Sequence, residues 1–272
     1  MAGPLMMVAF TGWNDAGECA SSLISHLLSQ YKSAEVAEFD PEDFYDFQVN
    51  RPAIRLDEFG SREIVWPTTK IFTLDPDHLG REVLLVLGAE PSMRWKSFAS
   101  ELLDVADDYG VELLIMLGGL LADVPHSRPI SISTTAGDPV LAKRMGVESS
   151  SYEGVTGVLG VIGDEARRRD IDAISFWAAV PHYVSTTPSP KATLALLESL
   201  EEYLDLNLPH GDLEERTRTW EATVDRMAAE DAEVGEYVRE LEKNKDDDEF
   251  REATADSIAK EVERFLKRQE NG

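Results

Sequence analysis

Polar side chains able to bind a ligand or move a proton follow several apolar runs of strand length. In the stretch Leu113–Pro129, five apolar residues and two glycines are followed by Asp123, His126 and Arg128. Carboxylate, imidazole and guanidinium groups suit general acid–base catalysis or the binding of an anion. Ligands of open parallel sheets bind beyond the carboxyl ends of the strands, so we expect such side chains to converge at one edge of a sheet. The other candidates for this ligand-binding set are Asn14, Asp15, Glu90, Arg94, Glu153 and His182.

A metal site or a nucleophilic site would need a pattern that this sequence does not contain. The spacing of Asp123, His126 and His182 matches no known set of metal ligands, so we predict no metal and no other cofactor. A serine nucleophile, Ser127 or Ser185, would need a histidine and an acid beside it, but the chain has no G-x-S-x-G elbow. The simplest interpretation of each histidine is a hydrogen-bonded structural residue at the end of a strand.

The turn after the first apolar run has the spacing of a phosphate-binding loop without its chemistry. The segment Thr11–Gly17 contains the pattern G-x-x-x-x-G. A P-loop continues with Lys and Ser or Thr, whereas this chain continues with Glu18 and Cys19. Acidic side chains here would repel a phosphate. We therefore interpret the turn as structural, with Asn14 or Asp15 as the N-cap of the helix that follows.

Two further kinds of site stay open on the sequence alone. Glu90 and Asp123 could act as a general acid–base pair. Arg94 and Arg128 could bind a carboxylate or a phosphate, or could pair with acidic side chains of this chain. Because Asp and Glu make up 52 of the 272 residues, their presence alone does not identify a site.

Alternating strands and helices would position these candidates. Apolar runs of strand length are followed by segments with apolar residues at helical spacing. This alternation is typical of βαβ units and predicts a mostly parallel or mixed sheet with helices on both faces. Gly118 and Gly119 are expected to end the central strand. The main predicted strands are Leu5–Phe10, Glu82–Gly88, Leu113–Leu117 and Ala173–Val180.

The segment Asp40–Glu58 is rich in Asp, Pro and aromatic residues and has weak periodicity. We interpret it as a long irregular loop that carries Phe44, Tyr45 and Phe47. Aromatic side chains on a loop either plug a hydrophobic core or contact a partner at an interface. These three residues are therefore the candidates for contact with a protein partner.

The composition changes in the last quarter of the chain, and we divide it into a core domain, 1–210, and a C-terminal extension, 211–272. In the extension, apolar residues recur at heptad-like steps over Leu213–Leu241 and again over Phe250–Leu266. The charged segment 243–248 is expected to form the turn between the two stripes. The extension is thus predicted to be an antiparallel helical hairpin that rests on its own core, pairs with another copy or holds a partner.

Charge and composition exclude several classes of function. The net charge is −26 at pH 7 with 43% hydrophobic residues, which predicts a folded, soluble chain that binds neither nucleic acid nor an anionic membrane. The single cysteine, Cys19, permits neither an intrachain disulfide nor a cysteine-based zinc cluster. The sequence contains no recognisable signal peptide or membrane-spanning run, so we expect a cytoplasmic protein.

Six stretches of the sequence carry a resemblance to a known family. They are Phe10–Gly17 (FTGWNDAG), Trp66–Lys70 (WPTTK), Gly88–Trp95 (GAEPSMRW), Leu117–Pro129 (LGGLLADVPHSRP), Ser151–Gly157 (SYEGVTG) and Trp177–Tyr183 (WAAVPHY). In these stretches the chain resembles the actinobacterial branch of the proteasome-assembly-chaperone family, PAC2. The resemblance extends over about residues 5–240.

This resemblance implies a three-layer α/β/α core like that of the nucleoside phosphorylases, followed by a C-terminal helical extension. It also implies self-assembly into a homo-oligomer, with a trimer as one option. Eukaryotic relatives are non-enzymatic chaperones that bind proteasome α subunits, so a proteasome-related protein partner is implied. None of their binding motifs can be matched to residues of this chain, so no binding residue is carried over.

Two hypotheses about function follow. In the first, the chain is a non-enzymatic homo-oligomer that binds another protein, with a proteasome-related protein as the candidate partner. In the second, it is an enzyme or a binder of a small anionic or nucleoside-like molecule, with a site at the carboxyl ends of the strands. The first is favoured because no catalytic signature is complete.

Overall fold

The computed structural model describes residues 3–75, 79–184 and 187–246. The strands are β1 (Leu5–Thr11), β2 (Ser33–Glu38), β3 (Ala53–Leu56), β4 (Arg62–Val65), β5 (Thr69–Leu74), β6 (Val83–Ala89), β7 (Leu113–Ala122), β8 (Ile132–Ala136), β9 (Glu148–Ser149) and β10 (Asp172–Pro181). Eight of them form one sheet in the order β2-β5-β6-β1-β7-β10-β8-β9. The other two, β3 and β4, pair with each other in a separate sheet.

Helices connect and cover these strands. They are α1 (Cys19–Gln30), α2 (Pro41–Phe44), α3 (Trp95–Asp108), α4 (Pro139–Met145), α5 (Val158–Arg168), α6 (Pro190–Leu204), α7 (Leu213–Glu230) and α8 (residues 232–246). A single 3-10 turn, Ala16–Glu18, precedes α1. Within the described ranges, no helix combines the length and the apolar character that crossing a membrane requires.

Four parallel strands, in the order β6-β1-β7-β10, form the middle of the large sheet. Residues 5–10 of β1 and residues 113–119 of β7 are all buried. A strand that helices cover on both faces needs an apolar side chain at every position, which explains these unbroken apolar runs. At the flanks, β5 runs antiparallel to β6 and β8 runs antiparallel to β10, so the sheet is mixed.

Helices pack on both faces of this sheet, as the alternation of strands and helices predicts. On one face, α1 and α6 pack against residues such as Met7 of β1, with Leu23 of α1 in the same cluster. On the other face, α3 and α5 cover the alternate residues of β1, and Phe98 packs near Val8. The prediction of an α/β fold with helices on both faces of a mixed, mostly parallel sheet is confirmed.

The glycine pair in the central strand does not end it. β7 continues past Gly118 and Gly119, so the prediction that the strand stops there is wrong. A Cβ on Gly118 would lie 2.3 Å from the ring of Trp177, and one on Gly119 would lie 2.6 Å from Sγ of Cys19 and 2.7 Å from the carbonyl oxygen of Ala16. The two glycines let a ring and the start of α1 approach the strand closely, while the backbone stays extended.

The segment Asp40–Glu58 is more regular than predicted. Asp40 caps α2 by accepting a hydrogen bond from the backbone N–H of Glu42 at 2.9 Å, and a proline at the first helical position favours this short helix. Further along, β3 pairs with β4 in antiparallel register, with Ile54 opposite Ile64. The loop prediction is wrong for these residues because the pairing partner of β3 lies beyond the segment.

The C-terminal extension bends earlier than its charge pattern predicts. α7 ends at Glu230 and Asp231 is its C-cap residue. The side chain of Asp231 accepts hydrogen bonds from the backbone N–H groups of Glu233 (3.0 Å) and Val234 (3.3 Å) at the start of α8. Residues 243–246 are helical, so the predicted turn at 243–248 is wrong for them. The second predicted stripe, Phe250–Leu266, lies outside the described residues.

The two described helices of the extension rest on the core. In α7, Trp220 and Val224 are buried, and in α8 Val238 and Leu241 are buried. α7 packs against α6, and α8 lies over the segment that follows β7. We call α7 and α8 together the C-terminal cover.

Candidate functional site at the carboxyl rim

The carboxyl ends of β6, β1, β7 and β10 form one edge of the sheet. We call it the carboxyl rim and define it as residues 11–15, 89–94, 122–128 and 181–184. The parallel register sets Thr11 beside Ala89 and Ala122 beside Pro181. Eight candidates lie in these ranges: Asn14, Asp15, Glu90 and Arg94 in the β1/β6 half, and Asp123, His126, Arg128 and His182 in the β7/β10 half.

In the β1/β6 half, the carboxylate of Glu90 holds the start of α5. Its Oε1 atom accepts hydrogen bonds from Nδ2 of Asn14 (3.0 Å) and from the backbone N–H of Val158 (2.9 Å). The N-cap residue of α5, Gly157, has no side chain for this task, and a Cβ there would lie 2.2 Å from Nδ2 of Asn14. Because a negative charge at a helix N-terminus is stabilising, Glu90 serves as a capping group supplied by a distant strand.

Asp15 is engaged in a similar way at the start of α1. Its Oδ1 atom accepts hydrogen bonds from the backbone N–H groups of Ala20 (2.9 Å) and Ser21 (3.2 Å), and the hydroxyl of Ser21 donates to Oδ2. Burial raises the pKa of the Asp15 carboxyl above its usual value, although these hydrogen bonds act in the opposite direction. The side chain that caps α1 is therefore that of Asp15, while Glu18 occupies the N-cap backbone position.

In the β7/β10 half, His126 is the most enclosed polar side chain, with 1% of its surface exposed. The hydroxyl of Tyr183 lies 2.7 Å from Nδ1 and also accepts a hydrogen bond from the His126 backbone N–H at 2.7 Å. Nε2 lies 3.0 Å from Oδ1 of Asp225 in α7. A neutral imidazole with its proton on Nε2 satisfies all three contacts, since the Tyr183 hydroxyl then donates to Nδ1.

The other two candidates of this half lie nearer to solvent. Nδ1 of His182 is 3.2 Å from Oδ1 of Asp123, and the hydroxyl of Tyr237 in α8 donates to the same carboxylate at 3.1 Å. The rings of His182 and Tyr237 meet edge to face, with 5.5 Å between their centroids. Asp123 and His182 thus form an exposed pair that contacts the C-terminal cover.

Arg128 also contacts the cover. It forms a two-pronged ion pair with Asp246, in which Nε–Oδ1 and Nη2–Oδ2 are both 2.8 Å, and its Nη1 lies 3.6 Å from Oε1 of Glu242. The hydroxyl of Ser127 donates to Glu242. The hydrogen bonds from Arg128 hold the pKa of the Asp246 carboxyl below its usual value. In this structure Arg128 binds acids of its own chain, the alternative to an anion that its residue type allows.

Two candidates lie apart from these clusters. Arg94 pairs with Asp43, and its guanidinium carbon lies 5.4 Å from the ring centre of Phe44. Glu153 is exposed on the loop that leads to α5. Neither side chain contributes to the contacts of the two rim halves described above.

The three aromatic candidates for partner contact occupy different positions. Phe44 and Tyr45 are buried, and the Tyr45 hydroxyl donates to the carbonyl of Ala89 at 2.8 Å. Phe47 is half-buried against the ring of Trp66, with 4.7 Å between the ring centroids. The side chains of Phe44 and Tyr45 are therefore packed in the core and do not form an exposed surface.

The metal and nucleophile hypotheses find no matching geometry in the described ranges. There, no three His, Cys, Asp or Glu side chains lie close enough together to hold a metal ion. Tyr183 and Asp225 engage both ring nitrogens of His126, so the ring is not placed to activate Ser127. The alternative nucleophile, Ser185, lies outside the described residues.

A cleft of about 490 Å³ opens at the rim, between the ends of β1 and β7 and the cover. Trp13, Leu120, Leu121 and Trp220 supply its large apolar side chains, and among the described residues of its lining His182 is the one ionisable side chain. The cleft lies beyond the carboxyl ends of the parallel strands β1, β7 and β10. Ligands of open α/β sheets bind at this edge of the sheet.

Sequence reasoning missed the residues of the cover that meet the rim, and it missed part of the cleft. Asp225, Glu242 and Asp246 are three of many acidic residues in the extension, and no local signal separates them from the rest. Leu120 and Leu121 carried a signal that was overlooked, since an apolar pair continues the pattern of β7 beyond the glycines. Both leucines are more than half exposed.

Solved structures similar to this chain come from bacteria and archaea. A PAC2 family protein from Streptomyces avermitilis has 49% sequence identity over 86% of this chain and 99% of that one, with a TM-score of 0.80. A Mycobacterium tuberculosis protein described as a proteasome-assembly chaperone homologue has 43% identity over 86% of this chain and 99% of that one, with a TM-score of 0.77. The archaeal proteasome activator PbaB of Pyrococcus furiosus shares the fold at 18% identity, over 82% of this chain and 93% of that one, with a TM-score of 0.64.

Two further comparisons concern sequence alone. The comparison with curated proteins gives no match. The model of the PAC2 family matches residues 9–228, a range that runs from β1 into α7. The resemblance seen in the six sequence stretches is confirmed, and the chain belongs to the PAC2 family.

Proposed function

We propose that this chain is a non-enzymatic protein-binding protein of the assembly-chaperone kind, and that it binds its partner at the carboxyl rim. The observation that carries the proposal is the exposure of large apolar side chains around the cleft. Trp13 is 60% exposed, Leu120 51% and Leu121 64%. Exposed apolar side chains grouped at one site mark a surface that another protein covers, and tryptophan is enriched among the residues that dominate binding energy.

The contacts that the polar groups at the rim make within the chain support protein binding over catalysis. Glu90 and Asp15 cap helices, and His126 is enclosed between Tyr183 and Asp225. A general base needs access to a substrate proton, which a capped or enclosed group does not have. Glu90, Asp15 and His126 are thus engaged within the chain, while the apolar groups of the cleft are exposed.

The proposed partner is a proteasome subunit. The Mycobacterium tuberculosis relative, at 43% identity, is described as a proteasome-assembly chaperone homologue, and this description supports the choice. The acidic character of the chain, with a net charge of −26, favours a basic or neutral contact surface on that partner.

The experiment measures binding of purified proteasome α subunits from the same organism, by interferometry, to the wild type and to rim variants. Trp13→Ala and Leu121→Asp are expected to weaken binding about 10- to 100-fold, since each removes exposed apolar contact area at the centre of the surface. Val140→Asp is the matched control, because Val140 is 78% exposed but lies on α4, whose Arg144 pairs with Asp172 at the amino end of β10. Binding that is absent in the wild type, or equal in all variants, would contradict the proposal.

A second candidate function rests on the same cleft. Its volume of about 490 Å³ lies within the range of small-molecule sites, and its lining suits an uncharged, nucleoside-like ring better than an anion. Asp123, 3.2 Å from His182, would repel an anion. Calorimetry with adenosine and with inorganic phosphate tests this alternative. Binding of adenosine that His182→Ala and Trp13→Ala both weaken would favour it over the protein-binding proposal.

A further inference from the structure

The cleft at the carboxyl rim combines an apolar lining with exposed carboxylates at its border. Asp123 lies beside the lining residue His182, and its side chain is 80% exposed. Asp225 follows Trp220 of the lining by little more than one turn of α7, and its side chain is 69% exposed. The lining itself carries the exposed apolar side chains on which the proposed function depends. A segment that is both apolar and basic would therefore complement both properties of this site.

Beyond the described residues, the sequence of segment 258–268 (IAKEVERFLKR) is apolar at helical spacing and also basic. Its large apolar residues are Ile258, Val262, Phe265 and Leu266. Steps of four, three and one residue are typical of side chains on one face of a helix. The same segment contains four basic and two acidic residues, whereas the whole chain has a net charge of −26. The sequence therefore predicts an amphipathic, net basic segment that the acidic body of the chain attracts.

The described part of α8 ends close to the cleft, so segment 258–268 can reach it. Nζ of Lys245 donates to the hydroxyl of Ser131 at 3.3 Å. The carbonyl of Ser131 accepts the backbone N–H of Ala179, which is opposite Leu120 in the strand register. Ser131 is thus roughly 10 Å from Leu120, the width of two strand spacings. The eleven residues 247–257 can span that distance, at about 3.3 Å per residue if extended and about 1.5 Å per residue if helical.

We infer that segment 258–268 of this chain binds in the cleft, with its apolar residues against Trp13 and Leu121, and competes there with the protein partner. This regulation rests on the proposed function, which makes the cleft the partner's site. A segment tethered by a short linker acts at an effective concentration on the order of millimolar. The partner then binds only those molecules whose cleft is open, so its apparent affinity falls in proportion to the open fraction. The chain thereby controls access to its own binding surface.

The first experiment locates the segment by cross-linking in the full chain and needs no partner. Cys19 is buried, so it does not compete with cysteines introduced at exposed positions. Under mild oxidation at high dilution, the double variant Leu121→Cys/Phe265→Cys is expected to form a disulfide within one chain, detected by non-reducing electrophoresis. The control Val140→Cys/Phe265→Cys is not, because Val140 lies on α4, whose Arg144 pairs at the amino end of β10. Equal yields in both variants, or no disulfide with Leu121→Cys, would overturn the inference. A disulfide only between two chains would also overturn it and would assign the cleft to a second copy.

The second experiment measures competition, with purified proteasome α subunits as the probe of the cleft. In the full chain, Phe265→Ala removes apolar contact of the segment and is expected to raise the affinity for the subunits about 5- to 10-fold, because more molecules have an open cleft. Glu263→Ala, at a position outside the apolar spacing, is the control and is expected to change the affinity less than twofold. Unchanged or weaker binding by Phe265→Ala would overturn the competition. If no variant binds the subunits but the disulfide between positions 121 and 265 forms, the proposed function fails while the segment still lies in the cleft.

Discussion

The polar side chains in the two halves of the carboxyl rim take their hydrogen-bond and ion-pair partners from different parts of the chain. In the β1/β6 half, Glu90 and Asp15 cap helices of the core, so their partners belong to the body of the fold. In the β7/β10 half, His126 and Arg128 find their partners in α7 and α8. The first half is complete within the α/β core, whereas the second is completed by the C-terminal cover.

This difference shows that the C-terminal cover is attached to the core through the β7/β10 half of the rim. Its polar contacts with the rim are charged or involve a carboxylate: Asp225 with His126, Asp246 with Arg128, and Tyr237 with Asp123. In addition, Lys191 of α6 bridges the cover and the rim, since its Nζ donates to Glu221 of α7 and to the carbonyl of His126. Ionic contacts are sensitive to salt and pH, so the second half should respond to both more than the first.

The largest expected effect comes from His126→Ala. The substitution removes a buried ring that contacts Tyr183 and Asp225 and leaves a cavity near Trp220, so we expect a loss of about 2–4 kcal/mol in the free energy of unfolding. Denaturant titration measures this loss, and limited proteolysis of the cover reports its release. The control is His182→Ala, which we expect to cost less than 0.5 kcal/mol because that ring is half exposed. Equal losses in the two variants would contradict the enclosed position of His126.

The second-largest expected effect comes from Glu90→Ala and tests the β1/β6 half of the rim. Glu90→Ala leaves the first turn of α5 and Nδ2 of Asn14 without their acceptor, and we expect a loss of about 1–2 kcal/mol. Glu90→Gln keeps an oxygen acceptor and is expected to retain most of the stability. Proteolysis of the cover should be unchanged in both, because Glu90 bonds to Asn14 and Val158 of the core. Faster cleavage of the cover in Glu90→Ala would show that the two halves are coupled.

The sequence predicts the β1/β6 half better than the β7/β10 half, and there is a physical reason. Apolar runs and their polar followers are local signals, and parallel pairing then places the strand ends at one edge. The cap that Asp15 provides is also local, whereas the acceptor that Glu90 supplies to α5 is 68 residues away in sequence and carries no local signal. The partners of His126 and Arg128 are 99 and 118 residues away, and nothing in the acidic pattern of the extension selects Asp225 or Asp246.

Two other features escaped prediction because they depend on tertiary contacts. Gly118 and Gly119 carry the usual signal of a strand end, but the packed positions of Trp177 and Cys19 require glycine inside a continuing strand. The strand β3 lies in a stretch rich in Asp and Pro, and it forms only because β4 pairs with it.

A smaller effect separates ionic from non-ionic contacts at the rim. Arg128→Ala removes the ion pair with Asp246, and we expect the melting temperature to fall by roughly 1–2 °C at low salt, since exposed pairs contribute little. At high salt the difference from the wild type should vanish. Arg94→Ala removes an exposed pair outside the cover and is the control for release of the cover by proteolysis. Cleavage that rises equally in the two variants would show that Arg128 does not hold α8.

The smallest expected effect is that the contributions of Asp15 and Asp246 to stability depend on pH with opposite signs. Burial raises the pKa of Asp15 above 3.8, so its contribution to stability is fully present below pH 3.8 and is lost as the pH rises through the folded pKa. Arg128 lowers the pKa of Asp246 below 3.8, so that contribution is present above pH 3.8 and is lost as the pH falls through the folded pKa. The free energy of unfolding is measured against pH for the wild type, Asp15→Asn and Asp246→Asn. Relative to the wild type, Asp15→Asn should change the slope of the free energy of unfolding against pH only above pH 3.8. Asp246→Asn should change this slope only below pH 3.8. A change of slope in the same pH window for both would refute opposite shifts in the two halves.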